Sequence, residues 1–164
     1  MQGLNLTDAA KIVYGSPIIG ALATTNGDCD YVSLKNFSRC TVVIAVDNAT
    51  TVTGGAVTLK QATAVAGTDE KALAFAKMYA NLDVAASDTL VETAVTSDTF
   101  TTLTTDNKNA LYVIEINAAD LDVANGFDCL RVDVLLMANA VGFVQYILHD
   151  GRHASPLAIS AITD

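Results

Sequence analysis

Two histidines, three cysteines and two close pairs of aspartates are the residues of this chain whose types and spacing could do chemistry. His149 and His153 stand four apart around Asp150-Gly151-Arg152. On a helix that spacing could seat a metal ion. Here a glycine interrupts it directly after a strand-like run, and no further ligands accompany it, so it reads as a polar strand exit. Asp28/Asp30 and Asp120/Asp122 could suggest acid–base catalysis or calcium binding. Such work needs one carboxyl buried and shifted, or a complete loop of oxygen ligands. These pairs lie in turn-like, solvated sequence. Cys29, Cys40 and Cys129 are odd in number and form no CxxC, which indicates neither a zinc site nor a disulfide framework. Cys40 would need a basic neighbour to act as a nucleophile, yet Arg39, adjacent on a strand, points to the opposite face. Gly54-Gly55 lacks a following Lys-Ser/Thr and reads as a hairpin turn, not a phosphate loop. No Ser–His–Asp arrangement can be built around either histidine. The expectation is a chain with no catalytic residues, no cofactor and no metal.

The elements that surround these residues form a cadence of short apolar runs cut by turn pairs. The cuts fall at Asp47-Asn48, Gly54-Gly55, Ser97-Asp98, Asp106-Asn107, Asn125-Gly126, Ala138-Asn139 and Asp150-Gly151. Turn signals at this spacing read as an all-β sandwich or barrel. The 164 residues suit one domain that needs no staples to fold. Trp is absent and Thr clusters in runs such as Thr99–Thr105. Threonine is β-branched, so it favours strands while keeping a polar tip. Eighteen Asp+Glu against nine Lys+Arg give a net charge of −9. That surface repels phosphate backbones and anionic membranes and suits a basic partner. No run approaches a membrane-spanning length, and the N-terminus lacks the pattern of a secretory signal. Cys40 and Cys129 sit in or beside apolar strands, so all three thiols are expected to be reduced, as in a cytoplasm.

Along the chain, residues 1–29 read as an N-terminal arm or extra strand, 30–150 as the β-sandwich body, and 151–164 as an extended C-terminal tail. Within the arm, Leu6 to Ile12 suggests a turn or two of helix and Ile18 to Ala23 a strand. In the body, Tyr31 to Lys35 is a short strand. Cys40 to Val46 is an apolar run, as expected for a strand buried on both faces. In Ala56 to Ala64, Val57, Leu59 and Gln61 share one face. Lys71 to Leu82 reads as a strand. Leu90 to Val95 and Thr99 to Thr104 read as a pair around Thr96–Asp98. Leu111 to Ile116 is a strand, followed by a helical turn over Ala118 to Val123 capped by Asn117. In Leu130 to Leu136 the residues Leu130, Val132 and Val134 point inward, Arg131 and Asp133 outward. Phe143 to Leu148 is the last strong strand. The arm carries too many apolar side chains for a solvated tail. Leu4, Leu6, Ile12, Tyr14, Ile18 and Ile19, with Leu157 and Ile159 of the tail, are therefore the candidate assembly contacts.

Three passages carry a resemblance. They are DYVSLKN (30–36) leading into TVVIAVD (41–47), LKQATAVAGTDEKALAFAKMYA (59–80), and ALYVIEINAADLDVANGFDCLR (110–131) with VGFVQYILH (141–149). Together they resemble a group of small structural proteins of tailed bacteriophages encoded among head genes. The resemblance implies a jelly-roll-like sandwich that decorates the head as capsid cement. It implies the major capsid protein and further copies of the chain as partners, with a trimer favoured, and neither nucleic acid nor membrane. The place implied is the outer surface of the virion head, after assembly in the host cytoplasm. A tail or head–tail connector protein is the second structural reading. A carbohydrate-binding module or a β-sandwich hydrolase ranks below both, since sugar platforms use exposed aromatics and this chain has no Trp.

Overall fold

The computed structural model describes residues 5–18, 27–135, 137–151 and 160–163. Alternation builds its three longest body strands: β4 (Arg39–Asn48), β10 (Asn109–Asn117) and β12 (Ala140–His149). In them Cys40, Val42, Ile44, Tyr112, Ile114, Val144, Tyr146 and Leu148 are buried, while their odd-numbered neighbours turn the other way. These strands are the centre of a six-stranded antiparallel sheet. β1 (Ala10–Ile18) flanks β12 at one edge, and β7 (Lys77–Asn81) and β8 (Val91–Ala94) flank β10 at the other. A one-turn helix, α1 (Leu6–Ala9), leads into β1.

The second sheet runs β2 (Gly27–Asp28), β11 (Cys129–Leu135), β5 (Ala56–Ala62), β6 (Lys71–Ala72). β3 (Val32–Ser33) also pairs with β11, and β9 (Thr99–Thr101) with β5. The two sheets pack face to face as an all-β sandwich. Val57, Leu59, Leu130, Val132 and Val134 form the smaller sheet's share of the core. Phe100 stacks edge-on to Phe75 and lies 5.2 Å from Tyr112. Tyr146 crosses the interior and accepts the N–H of Val132 at 3.0 Å, tying one sheet to the other. Tyr112 accepts the N–H of Leu103 at 2.7 Å. Both buried hydroxyls thus have the partners that burial demands.

Several expectations need correction. Residues 90–104 do not form a pair: β8 joins β7 in the large sheet, and β9 joins β5 in the small one. Ser97 accepts the N–H of Thr99, and Leu59 donates to the carbonyl of Asp98, so this turn carries the chain between sheets. Residues 71–82 are likewise two strands, β6 and β7, in different sheets. The helix at the N-terminus ends at Ala9, where the strand begins. The strand expected over Ile18 to Ala23 is described only at Ile18, where β1 ends. Finally, β4 is fully buried on its core side, whereas on its outward side Thr41 is buried and Val43 and Ala45 are only partly so. The helical turn over 118–120 is present, with Asp120 accepting the backbone N–H of Asn117 at 2.8 Å. Ala161 is fully buried, its carbonyl accepting the N–H of Ser33, so this part of the tail packs on its own chain.

Candidate functional site: the open face of the large sheet

The outward side chains of the large sheet fall into cross-strand rows fixed by its register. Phe143, Ala45 and Leu111 make one row, ending at Asn81. Gln145, Val43, Val113 and Tyr79 make the next, extended at the edge by Tyr14. Ile147, Thr41 and Glu115 follow, extended by Ile12. Above the Phe143 row stand Val141, Asp47 and Asn109. Most of this surface is apolar, yet no described element covers it. Phe143 is 38% exposed, Ile12 42%, Val141 43% and Tyr14 56%. Contiguous apolar patches of this kind mark interaction sites.

Two hollows indent one end of the face. Ala45 is short, so the floor sinks between Phe143, Leu111 and Val84 into a groove of about 450 Å³, with the backbone of Gly142 at its base. Asp47 closes one end of it and also lines a second hollow of about 440 Å³, with Thr50, Thr51, Asn139 and Val141. The glycine is obligatory here, because a Cβ at position 142 would lie 1.9 Å from the carbonyl oxygen of Ala45. At the far end of the face, Thr41 lies 2.9 and 3.0 Å from the two carboxylate oxygens of Glu115 and 2.8 Å from Nε2 of His149. With the hydroxyl donating to the carboxylate and accepting from the imidazole N–H, these side chains form a polar clip across three strands.

The opposite outer face, on the small sheet, is built differently. Lys60 contacts Glu70 at 2.5 Å and Asp133 at 2.8 Å. Arg131 contacts the same two carboxylates, at 2.8 Å each, and lies over the ring of Tyr31. Tyr31 donates to Glu70 at 2.6 Å. Burial works to raise the Glu70 carboxyl, but hydrogen bonds from Lys60 and Tyr31 and the Arg131 charge outweigh it, leaving it below its ordinary value. Hydrogen bonds to Asp133 and Glu70 raise Lys60 in turn. Asp133 does point outward, as alternation requires, yet it is only 5% exposed. Sequence reading missed this cluster. Its one local signal is that Arg131 stands directly opposite Lys60 in register, where two cations need carboxylates nearby.

The residues singled out from sequence now have places. Ile12 and Tyr14 lie at the edge of the open face, and Leu6 is exposed on α1. Ile18 ends β1 opposite Gly142. Leu4, Ile19, Leu157, Ile159 and His153 lie outside the described residues. Asp122 binds Lys71 and Asn125, work that accounts for its place in the turn. Cys29, Cys40 and Cys129 are buried and unbridged. Burial pushes the Cys29 thiol up to about 12 and raises Cys40 as well, which suppresses the nucleophilic thiolate.

No protein-family model matches the chain, and no curated protein matches it. Among solved structures it is similar to the SPBc2 prophage-derived protein YomS, at 13% identity and a TM-score of 0.42. The alignment covers 86% of this chain and 95% of that one. A likeness this loose says nothing of function.

Proposed function

We propose that this chain is a non-enzymatic structural protein of a tailed-phage virion, which docks on the head through the open face of its large sheet and stabilises the shell. One observation supports this above the others. The run Cys40–Val46 has the composition of a strand buried on both faces, and the described residues cover the outward side at Val43 and Ala45 only in part. A further surface is needed to complete the burial. The phage-head phrases in residues 30–150 supply the class of that surface, the major capsid protein. Copies of the chain, as trimers, would multiply a modest contact through effective concentration.

Cement that binds only the assembled shell stabilises it by linkage. Purified protein mixed with heads assembled without it should co-sediment, and decorated heads should release DNA at a higher temperature than bare ones. Failure to co-sediment would overturn the reading. Rings of six or twelve copies, with loss of tail attachment when the chain is missing, would replace it with the connector reading.

A further inference from the structure

We infer that the twin hollows around Asp47 are the specificity element of the open face, and that they accept a segment of a partner protein bearing a large apolar side chain next to a lysine or arginine. This deepens the docking role proposed above and rests on it. The groove between Phe143, Leu111 and Val84 is apolar and has the size to take one or two large side chains. At its end stands a lone carboxylate. Among the described residues, the cations nearest this face already have acids of their own: Lys108 binds Asp83, Lys77 binds Glu92 at 3.1 Å, and Arg39 faces Asp150 at 3.9 Å. Asp47 has no such partner among the described residues and stands exposed between the two hollows. Beyond it, Thr50, Thr51 and Asn139 offer polar groups along the second hollow.

Charge also decides against a second copy as occupant. Stacking this face on its own image would bring Asp47 and Glu115 of both chains into a dry interface within a protein of net charge −9. Like charges so placed are costly. A basic-flanked apolar segment instead gives each buried group a complement.

Two synthetic peptides test this on the full chain. They share one Leu-Phe anchor and differ only in flanking residues, lysine in one and glutamate in the other. Fluorescence anisotropy should show binding of the lysine peptide alone, weakening as salt rises. Backbone amide shifts should map to Ala45, Asp47, Leu111 and Phe143. Asp47→Lys should weaken the lysine peptide at least about tenfold and favour the glutamate one, while Asp47→Asn should lose most discrimination with the fold intact by circular dichroism. Equal binding of both peptides, binding of neither, or discrimination that survives Asp47→Lys would overturn the inference. So would a dimer of the chain alone that Phe143→Ser dissolves, because a second copy would then fill the face. Peptide discrimination without co-sedimentation on heads would sink the capsid role and leave the groove standing.

Discussion

The two outer faces of one sandwich solve the same problem in opposite ways. Each sheet must present a second side to something other than the core. The small sheet covers its own: residues between β5 and β6 bring Glu70 over Lys60, Arg131 and Asp133, and Tyr31 closes the cluster. Among the described residues, nothing covers Val43, Ala45, Leu111, Val113 and Phe143 of the large sheet in that way. A face whose polar groups are satisfied internally is finished. An apolar one left open is a surface that gains free energy when something covers it, about 25 cal/mol per Å² of apolar area.

The sharpest way to break this comparison is to remove one member of the finished face. Asp133→Ala should cost about 3–5 kcal/mol, because Lys60 and Arg131 would be left partly buried with one carboxylate fewer. Urea unfolding would measure it, and a loss below about 1 kcal/mol would mean the cluster is no more than a surface ornament.

How the faces differ was half legible in the residues. Alternation in 56–62 and 129–135 correctly divided inside from outside, since side-chain direction has a period of two along any strand. It could not report that Asp133 is buried on its outward side, because the cover comes from Glu70, far away in sequence. The pairing of 90–95 with 99–104 failed for a related reason. Turn residues announce that the chain bends, whereas which sheet receives the next strand is settled by packing, here Phe100 on Phe75 and Tyr112. The apolar run at 40–46 is the instructive case. Its composition says that both faces want burial, and the described residues bury one fully and the other in part. The groove at Asp47 was not legible, because it depends on the short Ala45 standing between Phe143 and Leu111 across strands. Small residues carry no signal of a hollow until the register is known.

Gly142 tests the close approach of β12 and β4 beneath that hollow. Gly142→Ala places a methyl into the backbone of the neighbouring strand, and the strands must part. A loss of about 1–3 kcal/mol is expected in a thermal or urea melt. An unchanged midpoint would show that β12 and β4 do not approach as closely as the open face requires.

A smaller effect comes from acid. Because Glu70 has its folded-state pKa below its ordinary value of 4.5, its contribution to stability is fully present above that value. That contribution fades as the pH falls through the depressed one. Lys60 works at the other end: its raised pKa means its contribution holds below 10.5 and is lost as the pH climbs beyond the folded value. Glu70→Gln should therefore flatten the acid limb of the stability profile while sparing binding at the open face. An acid limb identical in both proteins would remove Glu70 from the lock.

The smallest effect on stability should fall on the open face itself, and there it decides most. Phe143 sits in a cross-strand row beside Ala45, with over a third of its surface in water. Replacing it with serine removes an exposed ring and buries no unpaired group. The cost in a urea melt should be about 1 kcal/mol or less, the scale of one cross-strand pair. Co-sedimentation with heads should nevertheless collapse, because a large side chain at the centre of a docking face contributes far more when covered than when wet. Asp133→Ala should show the reverse pattern: weakened folding, with binding kept at temperatures where the variant stays folded. If Phe143→Ser unfolds the chain as readily as Asp133→Ala does, the large sheet's outer side belongs to this molecule's own stability. It would then not be a surface waiting for a partner.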